Sequence, residues 1–227
     1  YGHQRKTRIL YKSDLLFYVK IYAQIHANKG LPHYQMICID EGQDLHKADY
    51  DVLHMLFPTA VFNVFGDLAQ VLHTSCGIED WQKETGIQQI YKLERNYRNT
   101  AAIVDYCNSV LESDMQYIGK VHAKEKPQVF SDDGTLKSAA AIPGIVTIVK
   151  DDKSFQNFCM AIGKSCDEFE YLDTKAEQPT GAKPACYSIF AAKGLEFPTV
   201  LVYSISMNMN QKVVACTRAM ERLCYYE

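Results

Sequence analysis

The chain has 227 residues, about one and a half average domains, of which 47% are hydrophobic and 22% charged. This composition excludes a mostly disordered chain, and without an apolar run of about 18 residues the chain offers no membrane-spanning helix. The net charge of −3 and a pI near 6.2 exclude a general electrostatic grip on nucleic acid, which shows as a basic pI, so any such contact must be local.

The first residues, Tyr1-Gly2-His3-Gln4-Arg5-Lys6, carry charge with no apolar run behind it and are not a signal peptide. There is no initial Met, and the chain is expected to be an excised fragment. The eight cysteines contain no C-x-x-C pair and sit mostly in apolar company, as in Ile37-Cys38-Ile39. They read as reduced, buried thiols of a cytoplasmic protein rather than a disulfide framework or a zinc site. His3, His26, His33, His46, His54 and His122 form no metal-like spacing.

Residues 14–27 carry apolar side chains at helical spacing, with Ser13 or Asp14 as N-cap and Gly30 after the end. Residues 35–40 form a short apolar run that stops at acids and read as a buried strand. Residues 47–56 read as a helix stopped by Pro58, and 60–65 as a second buried strand ending at Gly66-Asp67. A third strand is expected at 89–93 and a helix, capped by Thr100, at 100–111. The stretch 114–143 is less patterned, with a turn at Asp132-Asp133-Gly134. Then come a strand at 145–149, a helix at 154–162 with Gly163 as its stop, a polar loop at 173–184, a strand at 199–203, a helix at 211–222 and a last strand at 223–226. Short apolar strands alternating with helices predict an α/β fold with a parallel sheet covered on both faces. Ligands of such sheets bind beyond the carboxyl ends of the strands.

Five segments carry chemistry. Asp40-Glu41-Gly42-Gln43-Asp44 places adjacent acids at a strand's carboxyl end, where one carboxylate can hold a hydrated Mg²⁺ and the next can deprotonate a water. An acid-rich helix start would look the same. Gly66-Asp67-Leu68-Ala69-Gln70 offers a Gln to a terminal phosphate, or is an ordinary turn. Asn96-Tyr97-Arg98 within Leu93–Thr100 offers a guanidinium fork and an aromatic face. Lys193-Gly194-Leu195-Glu196-Phe197 and Thr217-Arg218-Ala219 complete the set, and each alone could be a capped turn or a solvated helix face.

Together and in this order, the five resemble motifs II to VI of the UvrD/Rep-type superfamily 1 DNA helicases: DExxD, GDxxQ, NYR, KGLEF and TRA. The resemblance runs from about residue 35 to the C-terminus. A weaker likeness, carried by Phe57-Pro58, points to the branch of helicase IV and the RNA-polymerase-associated helicases. The resemblance implies a truncated first RecA-like domain (1–90) and a second RecA-like domain (91–227), with ATP and Mg²⁺ in the cleft between them. It also implies roles for individual residues. Asp40 holds Mg²⁺ through water, and Glu41 is the base for the attacking water. Gln70 senses the γ-phosphate, Tyr97 stacks on adenine, Arg98 reaches the γ-phosphate, and Glu196 binds the ribose. Arg218 is the arginine finger, removable without harm to the fold. His73, Lys193 and Phe190 touch the nucleic-acid strand; the family usually has a His at the position of Phe190.

The phosphate-cradling loop G-x-x-x-x-G-K-[ST] does not occur. Gly163-Lys164-Ser165 has Phe158 where the leading Gly belongs and follows a helix, so it reads as a helix end. The resemblance therefore implies that the parent is an ATP-driven, monomeric motor on single-stranded DNA, and that this chain alone binds ATP weakly or not at all. Two other readings stand beside it: an ATP-driven remodeller of a partner such as RNA polymerase, and a non-catalytic remnant used as a scaffold.

Overall fold

A computed structural model describes residues 12–26, 31–72, 77–93, 96–111, 125–174 and 178–227. The chain divides into two compact units, Tyr1–Tyr91 and Lys92–Glu227.

In the first unit, helix α1 (Lys12–His26) precedes strand β1 (Met36–Ile39), helix α2 (Lys47–Leu56), strand β2 (Val61–Val64) and the short helix α3 (Trp81–Thr85). Strands β1 and β2 are parallel and in register from Met36 opposite Val61 to Ile39 opposite Val64. Parallel neighbours need a crossover, and α2 supplies it. Its N-terminus is closed by Asp49, whose carboxylate accepts the His46 N–H at 2.8 Å. Asp80 caps α3 by accepting from the Gln82 and Lys83 N–H groups at 3.0 and 3.1 Å. Asp14 lies in the first turn of α1 rather than before it. The two strands, expected to be buried, are half-exposed: Met36 and Val61 each leave 58% of their surface uncovered. The strand expected at 89–93 is absent; residues 86–93 run as irregular chain.

The second unit holds helix α4 (Ala101–Val110), strand β3 (Gln128–Phe130), helix α5 (Asp133–Ala140), strand β4 (Val146–Val149), helix α6 (Asp152–Ile162), strand β5 (Glu170–Leu172), strand β6 (Ala185–Ser188), helix α7 (Ile189–Ala192), strand β7 (Phe197–Tyr203), helix α8 (Met209–Cys216) and strand β8 (Ala219–Tyr226). Its six strands form one sheet in the order β3-β8-β7-β4-β6-β5, every pair parallel. The fold class is the one expected: α/β, with helices flanking parallel strands. The core gathers Val149, Phe158, Cys186, Leu201 and Cys224 from the sheet and α6, all fully buried. Side-chain oxygens start the helices: Thr100 accepts from Ile103 N–H, Asp132 from Thr135 N–H and Asp151 from Ser154 N–H. Gly163 ends α6 with φ +67°, the left-handed cap read from Gly163-Lys164-Ser165, and the Lys164 N–H donates to Cys159 O at 3.0 Å.

Several elements of this unit depart from the sequence expectation. Asp132-Asp133-Gly134 is the start of α5, not a turn. Strands β3, β5 and β6 have only three or four residues, too few for alternation to register. The helix expected over 211–222 stops at Cys216, and β8 begins at Ala219. Residues 219–223, Ala-Met-Glu-Arg-Leu, favour helix locally. Pairing with β7, from Phe197 opposite Ala219 to Val200 opposite Leu223, overrides that preference. Of the cysteines, 107, 159, 186, 216 and 224 are buried free thiols, whereas Cys38 is exposed and Cys76 lies outside the described residues.

Leu201, central in β7 and fully buried, tests this core. Leu201→Ala should destabilise the second unit by about 2–5 kcal/mol, read from urea unfolding.

Candidate functional site

In the first unit, the two strands deliver their carboxyl ends side by side. The ladder continues past them: Phe65 N–H donates to Ile39 O at 2.8 Å and Gly42 N–H to Phe65 O at 2.9 Å. This brings Asp40 and Glu41 next to the segment Gly66-Asp67. Glu41 has φ 52° and ψ 37°, a left-handed backbone that costs a non-glycine residue about 1–3 kcal/mol. Its surroundings fix it there. Its N–H donates to Asp40 Oδ1 at 2.9 Å. Gly42 is locked against β2, since a Cβ would lie 2.2 Å from Val64 Cγ1 and 2.6 Å from the Tyr50 hydroxyl. That hydroxyl donates to Gly42 O at 2.8 Å. Burial, reinforced by the Asp49 charge, pushes the Tyr50 phenol up to about 12, so it stays a donor at any physiological pH.

Gln43, fully buried, was not singled out as a site residue from the sequence. Its Nε2 donates to Glu41 Oε2 at 2.7 Å, and its Oε1 accepts the Asp67 N–H at 3.1 Å. Asp67 in turn accepts from Gln70 Nε2 at 2.9 Å through its carboxylate. Glu41, Gln43, Asp67 and Gln70 thus form one hydrogen-bonded chain. Gly66 makes room for it: a Cβ there would sit 2.3 Å from Gln43 Oε1 and 2.7 Å from the Trp81 ring. The sequence signal for Gln43 was its place between two acids just past a strand end.

Asp40 is exposed at the end of β1. Among the described residues, no group of three or more His, Cys, Asp or Glu side chains could hold a metal ion. A single exposed carboxylate nevertheless suits Mg²⁺, which keeps several waters and takes one or two carboxylates together with nucleotide phosphates.

In the second unit, Arg98, Glu196 and Arg218 lie at one rim of the sheet. Glu196 directly precedes β7, and Arg218 directly precedes β8, where Phe197 pairs with Ala219. They sit at the amino ends of those strands, because the chain reaches each strand from the preceding helix through only a few residues. Asn99 draws Arg98 to the same rim. Buried at 1% exposure, it donates through Nδ2 to Thr217 O at 2.8 Å and to Ala219 O at 2.7 Å, the carbonyls flanking Arg218. Asn96 completes the turn, donating to Asn99 Oδ1 at 2.7 Å and accepting from the Arg98 and Asn99 N–H groups.

The structure pairs Arg98 with Glu196 in an ion pair. Tyr97 is 68% exposed. Arg218 is 1% exposed; its Nε donates to Val214 O at 3.0 Å, its Nη1 to Leu195 O at 3.3 Å and its Nη2 to Thr217 Oγ1 at 3.3 Å. It stitches the end of α8 to the segment before β7, so the expectation that its removal spares the fold does not survive. Phe190 lies half-buried in α7 and Lys193, buried, ends it; the helix is started by Ser188 Oγ, which accepts the Ala191 N–H. His73 lies outside the described residues, as do Glu94 and Arg95 of the third segment.

The family model of the viral superfamily 1 RNA helicase core domain matches residues 19–227. The chain belongs to that family. No curated protein matches it. Among solved structures, it is similar to arterivirus nonstructural protein 10, a helicase, solved with DNA (17% identity, 87% of this chain and 41% of that one, TM-score 0.49). The same arterivirus helicase in another structure gives 15% identity over 96% of this chain and 51% of that one, with TM-score 0.49. The C-terminal domain of a possible DNA helicase from Lactobacillus plantarum gives 19% identity, 58% and 86% coverage, and TM-score 0.41. The chain thus spans about half or less of the arterivirus helicase chains.

In this superfamily 1 helicase core, Asn99 is the tie between the Asn96–Asn99 turn and the start of β8. Asn99→Ala orphans two buried carbonyls at about 1–3 kcal/mol each. The thermal midpoint of the second unit should fall accordingly, and an unchanged midpoint would remove Asn99 from this role.

Proposed function

We propose that the protein of which this chain is part is an ATP-dependent helicase that couples hydrolysis to movement on single-stranded DNA. Within superfamily 1 we place it in the UvrD/Rep branch on the wording of its five segments, with Phe57-Pro58 pointing to the helicase IV side of that branch. The observation that carries the reading is the hydrogen-bonded chain from Glu41 to Gln70 at the carboxyl ends of two parallel strands, in a member of a helicase family.

The roles follow from the chemistry of each group. Glu41, fixed through Oε2 by Gln43, takes a proton from the attacking water. The water oxygen bonds to the γ-phosphorus as the bond to the bridging oxygen breaks and ADP leaves. Asp40 is the carboxylate for Mg²⁺, which when bound neutralises phosphate charge. Gln70 meets the γ-phosphate, Tyr97 the adenine and Glu196 the ribose. Arg98 and Arg218 offset the charge that develops on the phosphate oxygens. Lys193, Phe190 and His73 are the residues proposed to meet the strand.

The deciding experiment is ATP hydrolysis by the full-length protein, with and without single-stranded DNA and RNA oligonucleotides. Stimulation by DNA is the expected result. Stimulation by RNA alone would move the substrate to RNA, and dependence on a protein such as RNA polymerase without any oligonucleotide effect would make the enzyme a remodeller. Glu41→Gln should lower kcat by about 10²- to 10⁴-fold; hydrolysis at the parental rate would remove Glu41 as the base.

The chain by itself lacks the backbone cradle for phosphates. Calorimetry with MgATP should show no affinity in the micromolar range, and such an affinity would mean that other residues hold the phosphates.

A further inference from the structure

We infer that Gln43 is a positioning residue for hydrolysis: its side chain ties the Glu41 carboxylate to the backbone of Asp67 and so sets where the base stands. The inference rests on the reading of Glu41 as the base.

The geometry leaves one orientation for the amide. A carboxylate only accepts and a backbone N–H only donates, so Nε2 must face Glu41 and Oε1 must face Asp67. The side chain is fully buried and pinned from several directions. Gly66 and the Trp81 ring crowd the space beside Oε1, and the Gln43 carbonyl accepts the Ile78 N–H at 3.3 Å. At Gly77, φ is +115° and a Cβ would lie 2.6 Å from that same carbonyl, so the backbone passing Gln43 is close-packed as well.

The carboxylate it holds is only half-buried, on a residue in a left-handed backbone. The bond at 2.7 Å from this buried donor fixes where one of its oxygens stands. The same amide reports the position of Asp67, whose carboxylate holds Gln70. The base and the residue proposed to meet the γ-phosphate therefore share one buried fixed point, and displacing the Gly66-Asp67 segment displaces both.

The test uses the full-length protein and the isosteric variant Gln43→Glu. It keeps an acceptor for the Asp67 N–H but replaces the donor to Glu41 by a second acceptor. Assayed well below its melting temperature, it should show kcat for ATP lowered about ten- to hundredfold, with KM within about twofold. In a Glu41→Gln background the same substitution should cost nothing further, because Gln43 acts through Glu41. Gln43→Met, which fills the space with neither polar group, is the second variant and should show the same kcat loss and the same silence in the Glu41→Gln background. Parental kcat in Gln43→Glu, or losses that add to that of Glu41→Gln, would overturn the assignment. So would kcat falling only in step with melting temperature across both variants, since Gln43 would then hold the fold alone. If Glu41→Gln by itself hydrolyses ATP at the parental rate, the reading of the base fails first, a result distinct from any produced by Gln43.

Discussion

The passage from α8 to β8 takes two residues, Thr217 and Arg218, and the second unit depends on it. A helix leaves its last carbonyls without intrahelical partners, and a strand that starts two residues later, in the buried middle of a sheet, cannot turn them to water. Side chains must supply the donors. Arg218 serves Val214 O from its own position, and Asn99, more than a hundred residues earlier in the chain, serves Thr217 O and Ala219 O. With those carbonyls paired, β8 can run straight into the sheet between β3 and β7, and Leu223, Cys224 and Tyr225 are buried in turn.

The first unit solves a related problem at the other end of its strands. The chain leaves β1 through a left-handed residue and returns within three positions to a short 3-10 turn. That geometry brings the backbones of Gly42 and Phe65 to 2.9 Å and leaves no room for side chains at Gly42 or Gly66. In both units, then, a fully buried amide side chain, Gln43 or Asn99, bridges a segment that carries acids or arginines to a distant stretch of backbone. Such groups are costly to bury without partners, so finding each with donor and acceptor satisfied marks a rigid, fully specified arrangement.

How much of this was legible in the sequence depended on how far each signal reached along the chain. Helix α2, the stop at Gly163 and strands β1, β2, β4 and β7 were readable because their periodicity and their caps are local. So were the five segments and their order. What was not readable is non-local. β8 looks helical through Arg222 until β7 pairs with it. β3, β5 and β6 are too short to show a period. The half-exposure of β1 and β2 cannot be told from their apolar runs, which look like those of a buried sheet. Asp40 and Glu41 follow their strand, whereas Glu196 and Arg218 precede theirs. Gln43 and Asn99 were visible as letters but not as bridges, since their partners lie 24 and about 120 positions away.

The two arginines proposed to face phosphate differ in what it takes to redirect them. Arg98 and Glu196 form an ion pair whose side chains keep 43% and 36% of their surface in solvent. Such a pair contributes roughly 0–1 kcal/mol, so an anionic ligand can take the place of Glu196 while the Asn96–Asn99 turn stays as it is. Arg218 is different. Its bonds to Val214 O and Leu195 O belong to the interior, and each hydrogen bond from a charged donor is worth about 1.5–3 kcal/mol. Swinging it outward would break both bonds, leaving Val214 O to the Thr217 hydroxyl alone. Arg218 is therefore held inside the folded turn, and whatever moves Arg218 must move the start of β8, and with it Asn99, as one piece.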